Sequence, residues 1–141
     1  DNYGSSDALC NALQIINHLQ DCQEDYRQLN RVYLPLNWIN EIGADTGSLN
    51  ASKSSPAIRY VLDRCLDAID PLISEAGKLP ASLKSSRLAM ESAAIINISE
   101  KLQQLLRERD PLGSRAELNK LDYLWQCLRG VGSVFVGFGR L

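Results

Sequence analysis

The chain has 141 residues, of which 45% are hydrophobic, and 15 Lys and Arg stand against 17 Asp and Glu. This composition suits one globular unit with its own core, and the charges form no basic run, which excludes the surface that nucleic-acid-binding proteins need. The single histidine, His18, excludes a His-rich metal centre and most Ser/His or Cys/His nucleophilic sites.

The cysteines and the absence of targeting signals indicate a cytoplasmic protein. Cys10, Cys22, Cys65 and Cys127 include no CxxC pair, and we interpret them as reduced, buried thiols. No signal peptide is visible, and no apolar run approaches the roughly 20 residues that cross a bilayer. We therefore expect a cytoplasmic protein that contacts a membrane only peripherally, if at all.

The first predicted element is a long helix from Ser6 to about Leu29, where apolar residues recur at helical spacing without Pro or Gly. Ser6 or Asp7 is its expected N-cap. Residues 31–35 should leave the helix as an extended segment, because the residue before a proline avoids the α region. A short helix over Pro35–Ile42 and a polar loop should follow.

A second long helix should begin at Pro56, because proline is favoured at the first helical position. Its predicted buried side comprises Ile58, Val61, Leu62, Cys65, Leu66 and Ile69. Pro71 should kink this helix before Gly77 ends it.

Two further helices complete the predicted set, one from about Pro80 to Arg109 and one from about Ala116 to Arg129. The apolar face of the last helix comprises Leu118, Leu121, Leu124, Trp125 and Leu128. The Gly-spaced tail after Arg129 fits either a continued helix or a strand. No other segment alternates as strands do, so the sequence predicts an all-α fold over residues 1–141, organised as a single helical unit.

A polar stripe runs along the first predicted helix. Because successive residues of an α-helix are rotated by about 100°, four polar side chains share an arc of about 80°. They are Gln14, Asn17, Asp21 and Asp25. The rest of this helix is largely apolar, so we expect it to be buried in a bundle with the stripe facing a cavity. The alternative is a solvated face whose charged side chains form ordinary surface ion pairs.

The stripe carries the ligand types of a hard divalent cation. Two carboxylates one helical turn apart repel each other, and a cation between them would turn that penalty into a binding site. Mg²⁺ takes oxygen ligands, commonly one or two carboxylates plus phosphate oxygens and water. Asp21, Asp25 and the amide oxygen of Asn17 supply such a set, and Gln14 can contact the substrate or the metal shell.

The residues around the stripe closely resemble the second aspartate-rich motif of the squalene/phytoene synthase family. Residues 12–35 read ALQIINHLQDCQEDYRQLNRVYLP, with the stripe at the polar positions of the motif, and PLNWI continues it. Residues 79–83 and 119–125 resemble the C-terminal helices of the family more loosely, particularly in the bacterial hopanoid-pathway branch.

The resemblance implies an isoprenoid synthase-type helical bundle that joins two farnesyl or related prenyl diphosphates head to head. Mg²⁺ would assist the loss of diphosphate, and apolar walls would keep water from the carbocation. The matching positions imply metal binding by Asn17, Asp21 and Asp25, with the two aspartates as catalytic residues. The implied substrate-binding residues are Gln14, Asn17, Arg31, Tyr33 and Lys120.

The chain departs from the family pattern in three places. The family has a first aspartate-rich motif on an earlier helix, and no such motif stands here, so we expect the C-terminal half of the enzyme, inactive or nearly so alone. Gln20 stands where many relatives have Arg beside the first aspartate. Leu121 follows Lys120 where a Lys-Arg pair is frequent.

Several residues and the chain itself have a second interpretation. Arg31 could instead pair with Glu24 or Asp25, Tyr33 could pack against the next helix, and the two tryptophans could be core or lid residues. The chain could be a non-catalytic helical module that acts through an exposed helix face. Apolar surface left uncovered on the first helix would then predict a homodimer.

Overall fold

A computed structural model describes residues 3–138, with side chains through Val134. The described range is helical and contains no strand, which confirms the predicted all-α isoprenoid synthase-type fold. In chain order the helices are α1 (Tyr3–Leu29), α2 (Leu36–Glu41), α3 (Pro56–Ala76), α4 (Leu79–Ser82), α5 (Ser86–Glu108) and α6 (Lys120–Phe138), and a 3₁₀ turn spans Thr46–Asn50.

Helix α1 ends where the sequence predicts and begins earlier. It starts at Tyr3, so Ser6 and Asp7 lie inside the helix and the prediction that one of them is the N-cap is wrong. After Leu29 the chain turns at Asn30, whose φ of 50° is left-handed. Asparagine tolerates this conformation better than most residues, and the segment that follows is not helical, as predicted.

Helix α3 confirms the predicted buried face. All six apolar residues on that face are buried, and the helix continues through Pro71 to Ala76, with Gly77 after its end. Arg59 on this helix donates to the backbone carbonyl of Leu106 at 3.0 Å and forms an ion pair with Asp63. The guanidinium therefore satisfies a carbonyl group at the C-terminal end of α5.

The single helix predicted from Pro80 to Arg109 is wrong, because the chain breaks between α4 and α5. Leu83 has an extended backbone, with ψ of 132°. The Ser85 hydroxyl accepts a hydrogen bond from the backbone N–H of Leu88 at 3.4 Å, and its carbonyl accepts from Ala89. Ser85 thus caps a new helix, an N-terminal signal that the helix-forming composition of the region concealed.

The chain divides into two compact units. The first comprises residues through Leu13, Asp70–Leu102 and the residues from Leu118 onward. Its buried clusters consist of Leu9, Ala76, Leu79 and Ile96, and of Ala89, Ala93 and Val134. That residues 1–141 form a single domain stays a prediction.

The second unit contains Gln14–Ile69 and Gln103–Glu117. Its fully buried side chains include Ile16, Leu34, Ile39, Leu49, Ile58, Leu62, Leu66 and Leu106. These residues come from α1, α2, α3, the end of α5 and the connecting loops. The second half of α1, which carries the polar stripe, is therefore anchored by a core of its own.

Helix α6 packs in the first unit through the side opposite to its predicted apolar face. A Cβ atom at Gly130 would lie 2.6 Å from the Cα of Ala94, so α5 and α6 touch backbone to backbone there. Gln126 and Val134, on the same side of α6, are buried. The apolar face is exposed instead: Leu121, Leu124, Trp125 and Leu128 are 57–76% exposed.

The limits of the last helix also differ from the prediction. Ala116 and Leu118 are buried, but they precede α6, which begins at Lys120. Trp125 is not a core residue, because it lies on the exposed face. The tail whose structure the sequence left open is helical through Phe138, and Gly139 lies outside the described residues.

The cysteines are free, and only two of them are buried. Cys22 and Cys65 are buried, whereas Cys10 is exposed and Cys127 is half-buried, so the prediction of four buried thiols is wrong for the last two. Burial raises the pKa of Cys22 to about 12 and that of Cys65 to about 11. These two thiols stay protonated near neutral pH.

Candidate active site

The four residues of the polar stripe lie on the continuous helix α1, in the second unit. Gln14 and Asn17 are exposed, and Asp21 and Asp25 are half-buried. The half-buried aspartates are the ones that the sequence assigns to catalysis. Burial increases along the stripe from the amides to the carboxylates, and it is the carboxylates that the surrounding residues partly enclose.

An arginine lies beside the first of these carboxylates. Nη2 of Arg115 is 2.9 Å from Oδ1 of Asp21, with side-chain exposures of 48% and 30%, and Nη1 of Arg115 is 3.3 Å from Glu117. Arg115 follows α5 in a non-helical segment and is remote from Asp21 in sequence. Neither its type nor its spacing singled it out, and only the folded chain shows that it belongs to the site.

The oxygen that contacts Arg115 has no hydrogen-bond partner. Oδ1 of Asp21 is shielded from solvent, and the guanidinium meets it without hydrogen-bond geometry. A carboxylate oxygen in this position retains coordinating capacity that a cation could use. Asp25 and Asn17 on the same helix offer further oxygens, and oxygen is the ligand type that Mg²⁺ takes.

The stripe itself offers two carboxylates, Asp21 and Asp25. Among residues 3–138 no cluster of three or more His, Cys, Asp or Glu side chains could hold a metal ion. A cation here would therefore complete its shell with the Asn17 amide oxygen, water and phosphate oxygens from a ligand. Mg²⁺ typically binds in this way, through one or two carboxylates and its substrate.

Tyr33 packs back onto α1 through a stacked ring contact. The rings of Tyr33 and His18 are parallel within 10°, with centroids 3.9 Å apart. The sequence left open whether Tyr33 packs against the next helix, and the stacking partner lies on the preceding one. The contact brings Tyr33 to the helix that carries the stripe, with His18 one residue after Asn17.

Arg31 joins the same region through its backbone. Its N–H donates to the backbone carbonyl of Asp25 at 3.2 Å, and its side chain is exposed. The Tyr33 side chain, and to a lesser extent the Asp25 carboxylate, raise the pKa of the Arg31 guanidinium. Glu24, the other partner considered from the sequence, accepts a hydrogen bond from Gln28.

An apolar pocket adjoins the stacked rings, lined by residues that include Tyr33, Trp38 and Cys65. The guanidinium of Arg64 lies 4.2 Å above the Trp38 ring and pairs with Glu41 at 3.0 Å. Trp38 is thus half-buried under a cation, an arrangement that stabilises it at the surface.

Lys120 is the one predicted site residue that belongs to the first unit. It is the first residue of α6, belongs to the first unit and is exposed. The second unit therefore brings together Gln14, Asn17, Asp21, Asp25, Arg31 and Tyr33 and adds Arg115.

Sequence comparison identifies the family to which this all-helical chain, with its paired aspartates on a long helix, belongs. The squalene/phytoene synthase family model matches residues 1–122. The chain belongs to this family.

The similar curated proteins are hydroxysqualene synthases. The protein from Rhodopseudomonas palustris is 38% identical over 138 residues, which cover 96% of this chain and 47% of that protein. The protein from Sinorhizobium fredii is 38% identical over 92% of this chain and 44% of its own length. The protein from Zymomonas mobilis is 37% identical over 84% of this chain and 40% of its own length. The chain spans about half the length of these relatives. No solved structure gives a significant match.

None of the described helices combines the length and the apolar composition that a membrane-spanning segment requires.

Proposed function

We propose that this chain is the C-terminal half of a squalene/phytoene synthase-type prenyltransferase and carries its second Mg²⁺-diphosphate motif. The proposal rests above all on Asp21 and Asp25, two half-buried carboxylates one turn apart on α1. Membership of the family supplies the reaction class, and the donor set supplies the fit to a cation.

Each predicted residue then has a role. Asp21, Asp25 and Asn17 hold Mg²⁺, and Gln14 binds the substrate beside it. When bound, the cation neutralises the charge that develops on the diphosphate leaving group. Arg115 offers a second positive charge to the same group, because its guanidinium lies 2.9 Å from Asp21.

The remaining predicted contacts come from the substrate-binding set. Arg31 is an exposed cation next to Asp25, and the Tyr33 side chain lies beside it. We assign both to the prenyl diphosphate rather than to a purely structural role. Lys120 is assigned to the same substrate on the family resemblance alone.

The substrate class is a farnesyl or related prenyl diphosphate. Two reactions share the first step, in which the C–O bond to diphosphate breaks and leaves a carbocation. Capture by the alkene of a second substrate joins the two prenyl chains with loss of a proton. Capture by water forms a new C–O bond and releases a proton, which gives an alcohol such as the product named for the relatives.

Binding of Mg²⁺ with inorganic diphosphate tests the site directly. Isothermal titration calorimetry should use the natural polypeptide that contains this chain, alongside Asp21→Asn and Asp25→Asn. Each variant should bind Mg²⁺ with diphosphate at least about tenfold more weakly, because each loses a charged ligand. Asp7→Asn, an exposed carboxylate nearer the start of α1, is the matched control.

Unchanged affinity in both aspartate variants would reject the metal assignment. In parallel, turnover should be measured as the release of diphosphate. The two substrates to test are farnesyl diphosphate and the cyclopropyl diphosphate that forms from two farnesyl diphosphate molecules. Analysis of the products distinguishes condensation from hydration. Release that continues undiminished in Asp25→Asn contradicts the catalytic role of that residue.

A second candidate function is a non-catalytic, self-associating helical module. The observation that favours it is the exposed apolar face of α6, formed by Leu121, Leu124, Trp125 and Leu128. Such a face is typical of an interaction surface. Light scattering of the natural polypeptide over a wide concentration range tests it: a dimer that Leu124→Ser dissociates supports the module, and a monomer throughout rejects it.

A further inference from the structure

Arg115 reaches Asp21 from a segment with no regular structure, so something must hold that segment in place. Two buried glutamines of α1 do so. Nε2 of Gln20 donates to the carbonyl of Ala116 at 2.5 Å, directly after Arg115. Oε1 of Gln23 accepts from the N–H of Gly113 at 2.9 Å, two residues before Arg115.

The hydrogen bonds of the two glutamines lie on either side of the ion pair, both along the 113–116 segment and along α1. On the segment, they lie at residues 113 and 116, on either side of Arg115. On α1, they come from residues 20 and 23, on either side of Asp21. The two side chains are only 8% and 7% exposed, so their hydrogen bonds are shielded from competing water.

Gln23 also fixes a second loop. Its Nε2 donates to the carbonyls of Leu49 and Ala51, at 3.0 and 2.5 Å. The 113–116 segment is packed against the same region, because Gly113 has φ of 100° and a Cβ there would collide with the Ser52 carbonyl. A buried amide with all its partners in place is expensive to rearrange, since any movement leaves polar groups unpaired.

We infer that Gln20 and Gln23 are positioning residues, which lock the 113–116 segment onto α1 so that the Arg115 guanidinium stays beside Asp21. Their role in catalysis rests on the proposed function, in which Arg115 and the cation at Asp21 share a diphosphate. In this inference the two glutamines act through the segment that carries Arg115 and not on the substrate or the cation themselves. They set the geometry in which a positive side chain and a metal-binding carboxylate meet one ligand.

The test is a set of double-mutant cycles in the natural polypeptide, with binding of Mg²⁺ and inorganic diphosphate as the readout. Arg115→Ala should weaken binding about tenfold in the unaltered background. In the Gln20→Met or Gln23→Met background the same substitution should have less than about a twofold effect, because the guanidinium is already displaced.

Gln103→Met is the matched control. Gln103 is also buried, and its Nε2 donates to the carbonyl of Leu66 at 2.9 Å, in the same unit. Gln103→Met should lower the melting temperature about as much as Gln20→Met does. It should nevertheless leave the effect of Arg115→Ala on diphosphate binding at its full size. An Arg115→Ala effect that is equally large in the Gln20→Met and Gln103→Met backgrounds overturns the inference.

Hydrogen exchange of the 112–118 amides separates this inference from the proposed function. Faster exchange in Gln20→Met than in Gln103→Met supports the locking of the 113–116 segment by the glutamines, even when no diphosphate is present. If the unaltered protein binds no diphosphate while exchange behaves as expected, the proposed function fails. The locking of the 113–116 segment by the two glutamines is then still supported. If Asp21→Asn weakens binding but Arg115→Ala does not, the function stands and the positioning role fails. Should Gln23→Met not fold, Gln20→Met decides the question.

Discussion

Nη2 of Arg115 lies 2.9 Å from Oδ1 of Asp21, and the two residues come from opposite ends of the second unit's sequence. The contact places a cation where the sequence predicts a metal ligand. In the proposed function a guanidinium and Mg²⁺ share this carboxylate, whose Oδ1 makes no hydrogen bond.

This shared carboxylate predicts opposite responses to two ligands. Arg115→Ala should bind Mg²⁺ alone a few times more tightly, because a competing positive charge is gone. It should bind Mg²⁺ with diphosphate more weakly, because the anion loses a partner. Calorimetric titrations with and without inorganic diphosphate measure both affinities, and changes of the same sign would contradict a shared site.

Asp110 should make the protein sensitive to acid. Partial burial opposes its ionisation, but hydrogen bonds from the Ser54 hydroxyl and N–H, both at 2.6 Å, and from the Leu112 N–H outweigh it and lower the pKa. A lowered pKa stabilises the folded chain above the ordinary carboxyl pKa, and this contribution disappears as the pH falls through the folded value.

Asp110→Asn should therefore reduce the free energy of unfolding at pH 7 by about 1–2 kcal/mol, the cost of weakened charge-assisted hydrogen bonds. The difference from the unaltered protein should shrink as the pH falls below about 4. Urea denaturation at several pH values measures it, with the exposed Asp45→Asn as control. A difference that is constant with pH would refute the assignment.

Thiol labelling should divide the cysteines into two pairs. Cys10 and Cys127 are accessible to different degrees, whereas burial raises the pKa of Cys22 to about 12 and that of Cys65 to about 11. Iodoacetamide at pH 8 should modify Cys10 fastest and Cys127 next, and should leave the buried pair intact until denaturant is added. Peptide mass spectrometry locates the labels, and early modification of Cys22 would contradict its burial.

Gly130 should tolerate no side chain. A Cβ would lie 2.6 Å from the Cα of Ala94, so Gly130→Ala must push α6 away from α5 and should cost about 1–3 kcal/mol. Gly132→Ala on the same helix meets nothing within 4 Å and should be neutral or stabilise by up to about 1 kcal/mol. Thermal unfolding compares the two, and equal stability would mean that the helices are not in contact there.

The stacked pair of His18 and Tyr33 should be visible by NMR. His18 is the only histidine, so its ring protons can be assigned without ambiguity. A ring 3.9 Å away and parallel within 10° shields them, and Tyr33→Leu should move their resonances downfield. Tyr26→Leu is the control, because Tyr26 does not stack on His18. Unmoved resonances in Tyr33→Leu would show that the rings are apart in solution.

Much of the fold followed from local pattern. The period of apolar residues identified α1 and the buried side of α3, because a helix repeats its contacts every three to four residues whatever lies against it. The break at Ser85 was missed, since a cap depends on backbone geometry within a strongly helix-forming stretch. The stripe residues were identified by spacing and family resemblance, but the ion pair of Asp21 with Arg115 was not.

The sequence by itself determined the all-α class, the family and the carboxylates on α1, because each depends on residues close together in the chain. Tertiary structure decided which side of α6 is covered, since Gly130 permits a closer approach than the leucine face does. It also decided that Arg115 meets Asp21, because a contact between segments so distant in sequence arises only when buried glutamines and a left-handed glycine bring the backbone around.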